Sequence, residues 1–282
     1  MSKSSIVDFI GVGSGKCGST WFFENVIQHP EIYDGNPKEI NYFSDLFNQH
    51  SPEWYASQFK GCTDDSLLKG EFSVTYMYHP EAAKRIKENC PDAKIIAIVR
   101  DPIYRTFSDY LHAQRKGDIA PTVPFSDYIK DEKKLEFGCY TQYLKQFFDN
   151  FPAEQIKVIV LEDFNENYEK GFRDVFEFLG LKDVNFVPPG VEERRNQARS
   201  YRFIKLENLL VQTYRMLAKA GYTRLTETVK RSGIPELFRK FNTSKKPLPQ
   251  IDDASKETLK QYFATEKKFV SELTGSSLSA WQ

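Results

Sequence analysis

The sequence is poor in cysteine and histidine, with four of each in 282 residues. Cys17, Cys62, Cys90 and Cys139 are scattered with no C-x-x-C pair. That spacing fits reduced thiols in a cytoplasmic protein better than a disulfide framework or a zinc site. Net charge is also lacking, because 39 Lys and Arg are matched by 39 Asp and Glu. A general binder of nucleic acid or anionic membrane carries a global basic excess, so neither partner is expected. Long apolar runs are missing too. The longest aliphatic stretch is Ile95-Ile96-Ala97-Ile98-Val99, far short of the ~20 residues a membrane-spanning helix needs. Residues 1–13 read as a polar lead into a strand, without the basic start and apolar core of a signal peptide. There is no internal repeat and no low-complexity linker. What is present is a 40% hydrophobic, 15% aromatic chain, enough to build a sizeable core and exclude wholesale disorder.

The N-terminal half alternates strand and helix signals. Residues 6–12 form a β-branched apolar run that feeds directly into GVGSGKCGST, followed by a helical pattern over 19–28 that stops at His29-Pro30. Strands are expected over 67–74, 94–99 and 156–161, and helices over 81–89, from Pro102 onward, and over 168–179 up to Gly180. Strands separated by helices of this length imply βαβ units and a parallel sheet. Beyond Leu181 a Pro-Pro-Gly loop leads into an arginine-rich segment. Helical patterns then follow over 201–219 and 254–273, with an irregular stretch over 231–253. His29 and His79 each precede proline and read as turn residues.

A strand, a glycine-rich turn and a helix make a phosphate cradle, because backbone N–H groups and the helix dipole converge there. GVGSGKCGST is not a Walker A loop. With Lys16 as its lysine the first glycine would fall at Ile10, and Cys17 stands where Ser or Thr must hold magnesium. A magnesium-dependent kinase thereby loses most of its support. Lys16-Cys17-Gly18-Ser19-Thr20, with Trp21 opening an apolar helix face, instead resembles the 5′-phosphosulfate loop of sulfotransferases that use 3′-phosphoadenosine-5′-phosphosulfate (PAPS).

Three further segments carry that resemblance. Arg100 ends the apolar strand and Ser108 follows eight residues later, a spacing that resembles the family's 3′-phosphate site. An arginine there can grip phosphate with two charge-assisted contacts. Pro37-Lys38-Glu39-Ile40-Asn41-Tyr42-Phe43 resembles the segment of heparan-sulfate-type carbohydrate sulfotransferases that carries their general base. The resemblance makes Glu39 that base, with Asn41 where many members have histidine. Gly70-Glu71-Phe72-Ser73 resembles a family strand in which position 72 is a lysine, and its loss suggests a different acceptor. Tyr140, in Gly138-Cys139-Tyr140, either lines the nucleotide or packs in the core. Leu259 to Phe269 and Trp281 resemble the closing helix and terminal tryptophan. Arg194, Arg195 and Asn196 occupy the place of the basic loop that folds over the cofactor, or else form an ordinary solvated basic face. His112 could reach the cofactor from one turn after Ser108 or be a surface residue. Cys17, beside Lys16 at a helix start, could have a lowered pKa or simply pack.

The expectation is a single α/β domain over 1–282, with a parallel central sheet flanked by helices in the P-loop-like sulfotransferase fold. Its nucleotide-binding core spans 1–180, and the basic loop and helical extension span 181–282. The resemblance implies a cytoplasmic PAPS-dependent transferase needing no metal, with a small-molecule or carbohydrate acceptor. The cofactor would meet Lys16, Cys17, Gly18, Ser19, Thr20, Trp21, Arg100, Ser108, Tyr140, Arg194, Arg195 and Asn196, with Lys16 and Glu39 catalytic. A kinase or a non-catalytic nucleotide-binding protein is the alternative. Cys17 argues against the first, and intact Lys16 and Glu39 against the second.

Overall fold

The computed structural model describes residues 5–33, 35–120, 122–191, 216 and 249–282. Four strands, β1 (Phe9–Gly13), β2 (Gly70–Phe72), β3 (Lys94–Val99) and β4 (Ile156–Val160), form one sheet in the order β2-β1-β3-β4. Among the described residues every strand pairing is parallel, with Ile10 opposite Glu71 and Ile95, and Ile95 opposite Ile156. The expected α/β parallel sheet is present.

The strands read as unbroken apolar runs because both faces are covered. On one face Ile10, Val12, Ile95, Ala97 and Val99 pack under α3 (Ala82–Asn89) and α7 (Tyr140–Asn150), joined by Val270 and Trp281. On the other, Phe9, Ile96, Ile98 and Ile159 pack under α1 (Ser19–Val26) and α9 (Tyr168–Leu179). Glycine makes the second layer possible. A Cβ on Gly11 would lie 2.0 Å from the Phe72 ring, so only glycine lets that ring cross β1. Complete burial of such a ring contributes roughly 1.5–3 kcal/mol.

Local chemistry sets the helix ends. The Asp101 carboxylate accepts the Ile103 N–H at 2.8 Å to open α4 (Pro102–Lys116). Asn167 caps α9 through the Lys170 N–H at 2.9 Å. At its other end the Leu181 N–H reaches back to the Phe176 carbonyl at 3.0 Å around left-handed Gly180, a Schellman stop.

Several boundaries differ from the sequence reading. The strand expected over 67–74 is three residues long. Leu68 makes an isolated bridge to Ile32, and after Phe72 the chain turns into a 3₁₀ segment, Tyr76–Tyr78. The helix expected over 254–273 is two, α10 (Asp253–Tyr262) and α11 (Ala264–Thr274), broken at Phe263. Four short helices escaped the periodicity: α2 (Pro52–Ser57), α5 (Phe125–Tyr128), α6 (Glu132–Glu136) and α8 (Leu161–Glu166). Two compact units divide the chain: residues 1–106, 131–195 and 256–282 in one, and 107–130 with 196–255 in the other. The sheet and both core clusters belong to the first. In the second, Phe107 and Tyr110 of α4 pack on Phe125 of α5 at 5.1 and 5.3 Å between ring centroids.

Candidate functional site

Because all strands are parallel, their carboxyl ends share one edge. The chain leaves β1 for β2 on one side and then crosses to β3 on the other, so the strand order reverses between β1 and β3. The crevice outside such a reversal is where open α/β sheets bind ligands. Residues 14–18 follow β1 there and Arg100 follows β3.

The loop after β1 is pinned from below. The Ser14 N–H donates to the Ile98 carbonyl at 2.8 Å, and the Ser14 hydroxyl pairs with the Tyr78 phenol. Burial raises the Tyr78 pKa to about 12, so it stays a neutral partner. Lys16 is left-handed (φ 71°), and Gly18 (φ 77°) is the N-cap of α1. Gly18 supplies no side-chain oxygen, and the first turn of α1 holds no acid. Its N–H groups and the helix dipole therefore suit an incoming anion.

Arg100 joins this loop to β3. Its Nη1 donates to the Lys16 carbonyl at 3.5 Å, and its Nε lies 3.8 Å from Glu162. Glu162 also accepts the Asp101 N–H at 3.2 Å and the Trp281 indole N–H at 3.0 Å. Burial raises the Glu162 pKa against those contacts.

Glu39 sits beside the carboxyl end of β2. Its N–H donates to the Phe72 carbonyl at 2.9 Å, and its φ is 59°. Lys38 meets Glu39 Oε1 at 2.6 Å while lying over the Phe72 ring, 5.6 Å from its centroid. The Glu39 side chain is 40% exposed. Two residues on, Asn41 (φ 56°) leads into a single π-helical turn, Tyr42–Leu46. Beneath this turn lies Glu71, fully buried, which accepts hydrogen bonds from Tyr55 (2.9 Å), Tyr76 (2.6 Å) and Ser73 (2.5 Å).

The sequence model of the sulfotransferase domain matches residues 7–269, most of the chain. The chain belongs to the sulfotransferase domain family. It is 26% identical over 208 residues to a bifunctional heparan sulfate N-deacetylase/N-sulfotransferase 1 of Caenorhabditis briggsae, covering 66% of this chain and 24% of that protein. It is 25% identical over 181 residues to human heparan sulfate glucosamine 3-O-sulfotransferase 3B1, covering 61% of this chain and 46% of that protein. The chain thus spans under half the length of either relative. Among solved structures, a sulfotransferase from Alicyclobacillus acidocaldarius superposes with a TM-score of 0.69 at 24% identity, covering 98% of both chains, and shares the fold.

Within this sulfotransferase domain, the structure places Lys16, Gly18, Ser19, Thr20 and Arg100 on one edge. Tyr140 is fully buried: its hydroxyl donates to the Arg100 carbonyl at 2.7 Å and lies 3.8 Å from Cys17 Sγ. Of its two sequence readings, the packing one describes the side chain. The Cys17 thiol is fully buried as well, and desolvation raises its pKa although Arg105 and Arg100 pull it down. That corrects the lowered pKa its position beside Lys16 suggested. The Trp21 side chain faces the core, 5.9 Å from both Phe164 and Phe172, so only its backbone belongs to the loop's helix start. Phe72 is buried in the same layer, so its side chain does not stand where an acceptor could touch it. His29 lies in the turn after α1, as expected, but its ring is buried, 4.6 Å from Phe176. Ser108 and His112 lie on α4, and His112 pairs with Arg115 at 2.5 Å. Arg194, Arg195 and Asn196 lie outside the described residues.

Sequence reasoning assigned no role to Glu71, Tyr78 or Glu162. Glu71 lies in the Gly70-Glu71-Phe72-Ser73 segment, but nothing in its spacing reveals which hydroxyls surround it.

Proposed function

We propose that this chain is a PAPS-dependent sulfotransferase, moving a sulfuryl group to a hydroxyl or amine of a carbohydrate or small-molecule acceptor. One observation carries the reading: the capless, acid-free N-terminus of α1 and the guanidinium of Arg100 meet through the Lys16 carbonyl at the strand-order reversal. Two anion-binding groups on one edge suit a ligand phosphorylated at both ends of a nucleoside.

The N–H groups of residues 16–20 and the Ser19 and Thr20 hydroxyls would hold the 5′-phosphate. The Lys16 ammonium would neutralise the charge that builds on the departing phosphate oxygen, where one well-placed donor is worth ~10²–10³-fold in rate. Arg100 is assigned to the 3′-phosphate, with Ser108 assigned on the sequence spacing. Glu39 would take the acceptor's proton on Oε2 while Lys38 occupies Oε1. The names of the relatives support a glucosamine-containing acceptor, with N- and O-sulfation both represented among them.

The deciding experiment is thermal unfolding with 3′-phosphoadenosine-5′-phosphate (PAP), with ATP and magnesium, and with buffer. Saturation at 100 times the dissociation constant adds ~2.7 kcal/mol of stability. PAP alone should stabilise, and a shift with ATP and magnesium alone would reject the reading. Labelled PAPS offered to glucosamine oligosaccharides and to phenols would then identify the acceptor class.

A further inference from the structure

Glu71 is a carboxylate with no exposure, at the middle of β2, and it is the hub of a directed network. Tyr76 donates to Oε1 and in turn accepts the Tyr42 N–H at 3.0 Å. Ser73 donates to Oε2 and in turn accepts the Asn41 N–H at 3.0 Å. Each hydroxyl has a single proton, so once that proton points at Glu71 the lone pairs are left for the backbone N–H groups. An ionised carboxylate accepts only, and it therefore sets the direction of both relays. The two N–H groups lie within three residues of Glu39, in a turn where Glu39 and Asn41 both hold positive φ. L residues keep that conformation when their surroundings hold them.

We infer that Glu71 is the positioning residue for Glu39: through the Tyr76 and Ser73 hydroxyls it anchors the Tyr42 and Asn41 N–H groups and so fixes the turn that presents the Glu39 carboxylate. The inference rests on the reading of Glu39 as the base. Burial lifts the Glu71 pKa to about 7, against the lowering by Ser73, Tyr76 and Tyr55, and the charge of Glu39 adds to the rise. Cys90, past the end of α3, is a further titratable neighbour, and its thiol is pushed up to about 12 and stays neutral. Below pH 7 Glu71 gains a proton that competes with the hydroxyl donors, and the anchored turn loosens.

The test uses the full chain, amide hydrogen exchange, and PAPS hydrolysis with water as the acceptor. Glu71→Gln should speed exchange at Asn41 and Tyr42 at least tenfold while leaving β3 unchanged. PAP affinity and the KM for PAPS should stay within twofold, and kcat should fall at least tenfold. In the wild type, an acid limb with a midpoint near pH 7 should appear in both kcat and corrected exchange, and it should vanish in Glu71→Gln. Unchanged exchange at these two amides, equal acceleration across the whole chain, or a persisting acid limb would each overturn the inference. Should Glu71→Gln not fold, Ser73→Ala must release the Asn41 amide alone and Tyr76→Phe the Tyr42 amide alone. If neither does, the inference fails. Undiminished hydrolysis in Glu39→Gln, with normal exchange in the turn, would instead reject Glu39 as the base and leave the anchoring role of Glu71 standing.

Discussion

The Tyr140 phenol closes on both backbone groups of Arg100, donating to its carbonyl at 2.7 Å and accepting its N–H at 3.3 Å. A side chain on α7 thereby fixes the peptide from which the Arg100 guanidinium departs. The same hydroxyl lies against Cys17 in the loop after β1, so one buried phenol supports both that loop and the strand end that carries Arg100.

Tyr140→Phe removes those contacts without opening a cavity. Removing this partner from the part-buried Arg100 N–H and carbonyl should cost about 1–3 kcal/mol. Urea unfolding measures that loss, and PAP titration should show a weakened site in the folded variant. A variant as stable as the wild type would mean water replaces the phenol.

Arg100→Ala tests the 3′-phosphate assignment. A charge-assisted contact to a charged ligand is worth ~1.5–3 kcal/mol, so PAP should bind at least ~10-fold more weakly. Adenosine 5′-phosphosulfate, which lacks the 3′-phosphate, should bind nearly as before. Equal losses for both ligands would remove the assignment.

Lys16→Ala and Glu39→Gln separate ground-state binding from chemistry. The glutamine keeps size but cannot accept a proton, so turnover should fall ~10²-fold or more with PAP affinity intact. The alanine should lower both, since the lysine would meet the cofactor before and during transfer. Steady-state kinetics with PAP titration on the three proteins reads the difference.

Stability should depend on pH through Glu71. Its folded pKa of about 7 lies above the ordinary 4.5, so between those values the folded state binds more protons than the unfolded. Its contribution is fully present below about pH 4.5 and is lost as pH rises through 7, a change of about 3 kcal/mol. Urea unfolding from pH 5 to 8 should show that decline in the wild type and a flatter curve for Glu71→Gln. The ionised form that holds the turn is the one the fold disfavours.

Thiol labelling checks the burial of Cys17. In native protein at pH 8, iodoacetamide should modify partly exposed Cys62 first. Cys17 should react only after unfolding, because desolvation keeps its thiol protonated and shielded. Rapid native labelling of Cys17 would contradict the packing under Tyr140.

The parallel sheet, the phosphate-type loop and the placing of Arg100 at a strand end were legible in the chain itself. Each is written in contiguous residues: apolar runs covered on both faces, glycines at the turn, a proline opening α4. Two apolar periods of similar length also marked α1 and α9, where capping chemistry at Gly18, Asn167 and Gly180 is local. Only the tertiary structure decided what surrounds each polar group. Tyr140 is 40 residues from Arg100, Trp281 is 119 from Glu162, and Tyr42 is 34 from Tyr76. Such pairings depend on how helices settle on the sheet, which no spacing rule encodes. The thiol of Cys17 shows why: helix position and a neighbouring lysine argue for a thiolate, yet the loop folds it inward, and desolvation outweighs both nearby arginines.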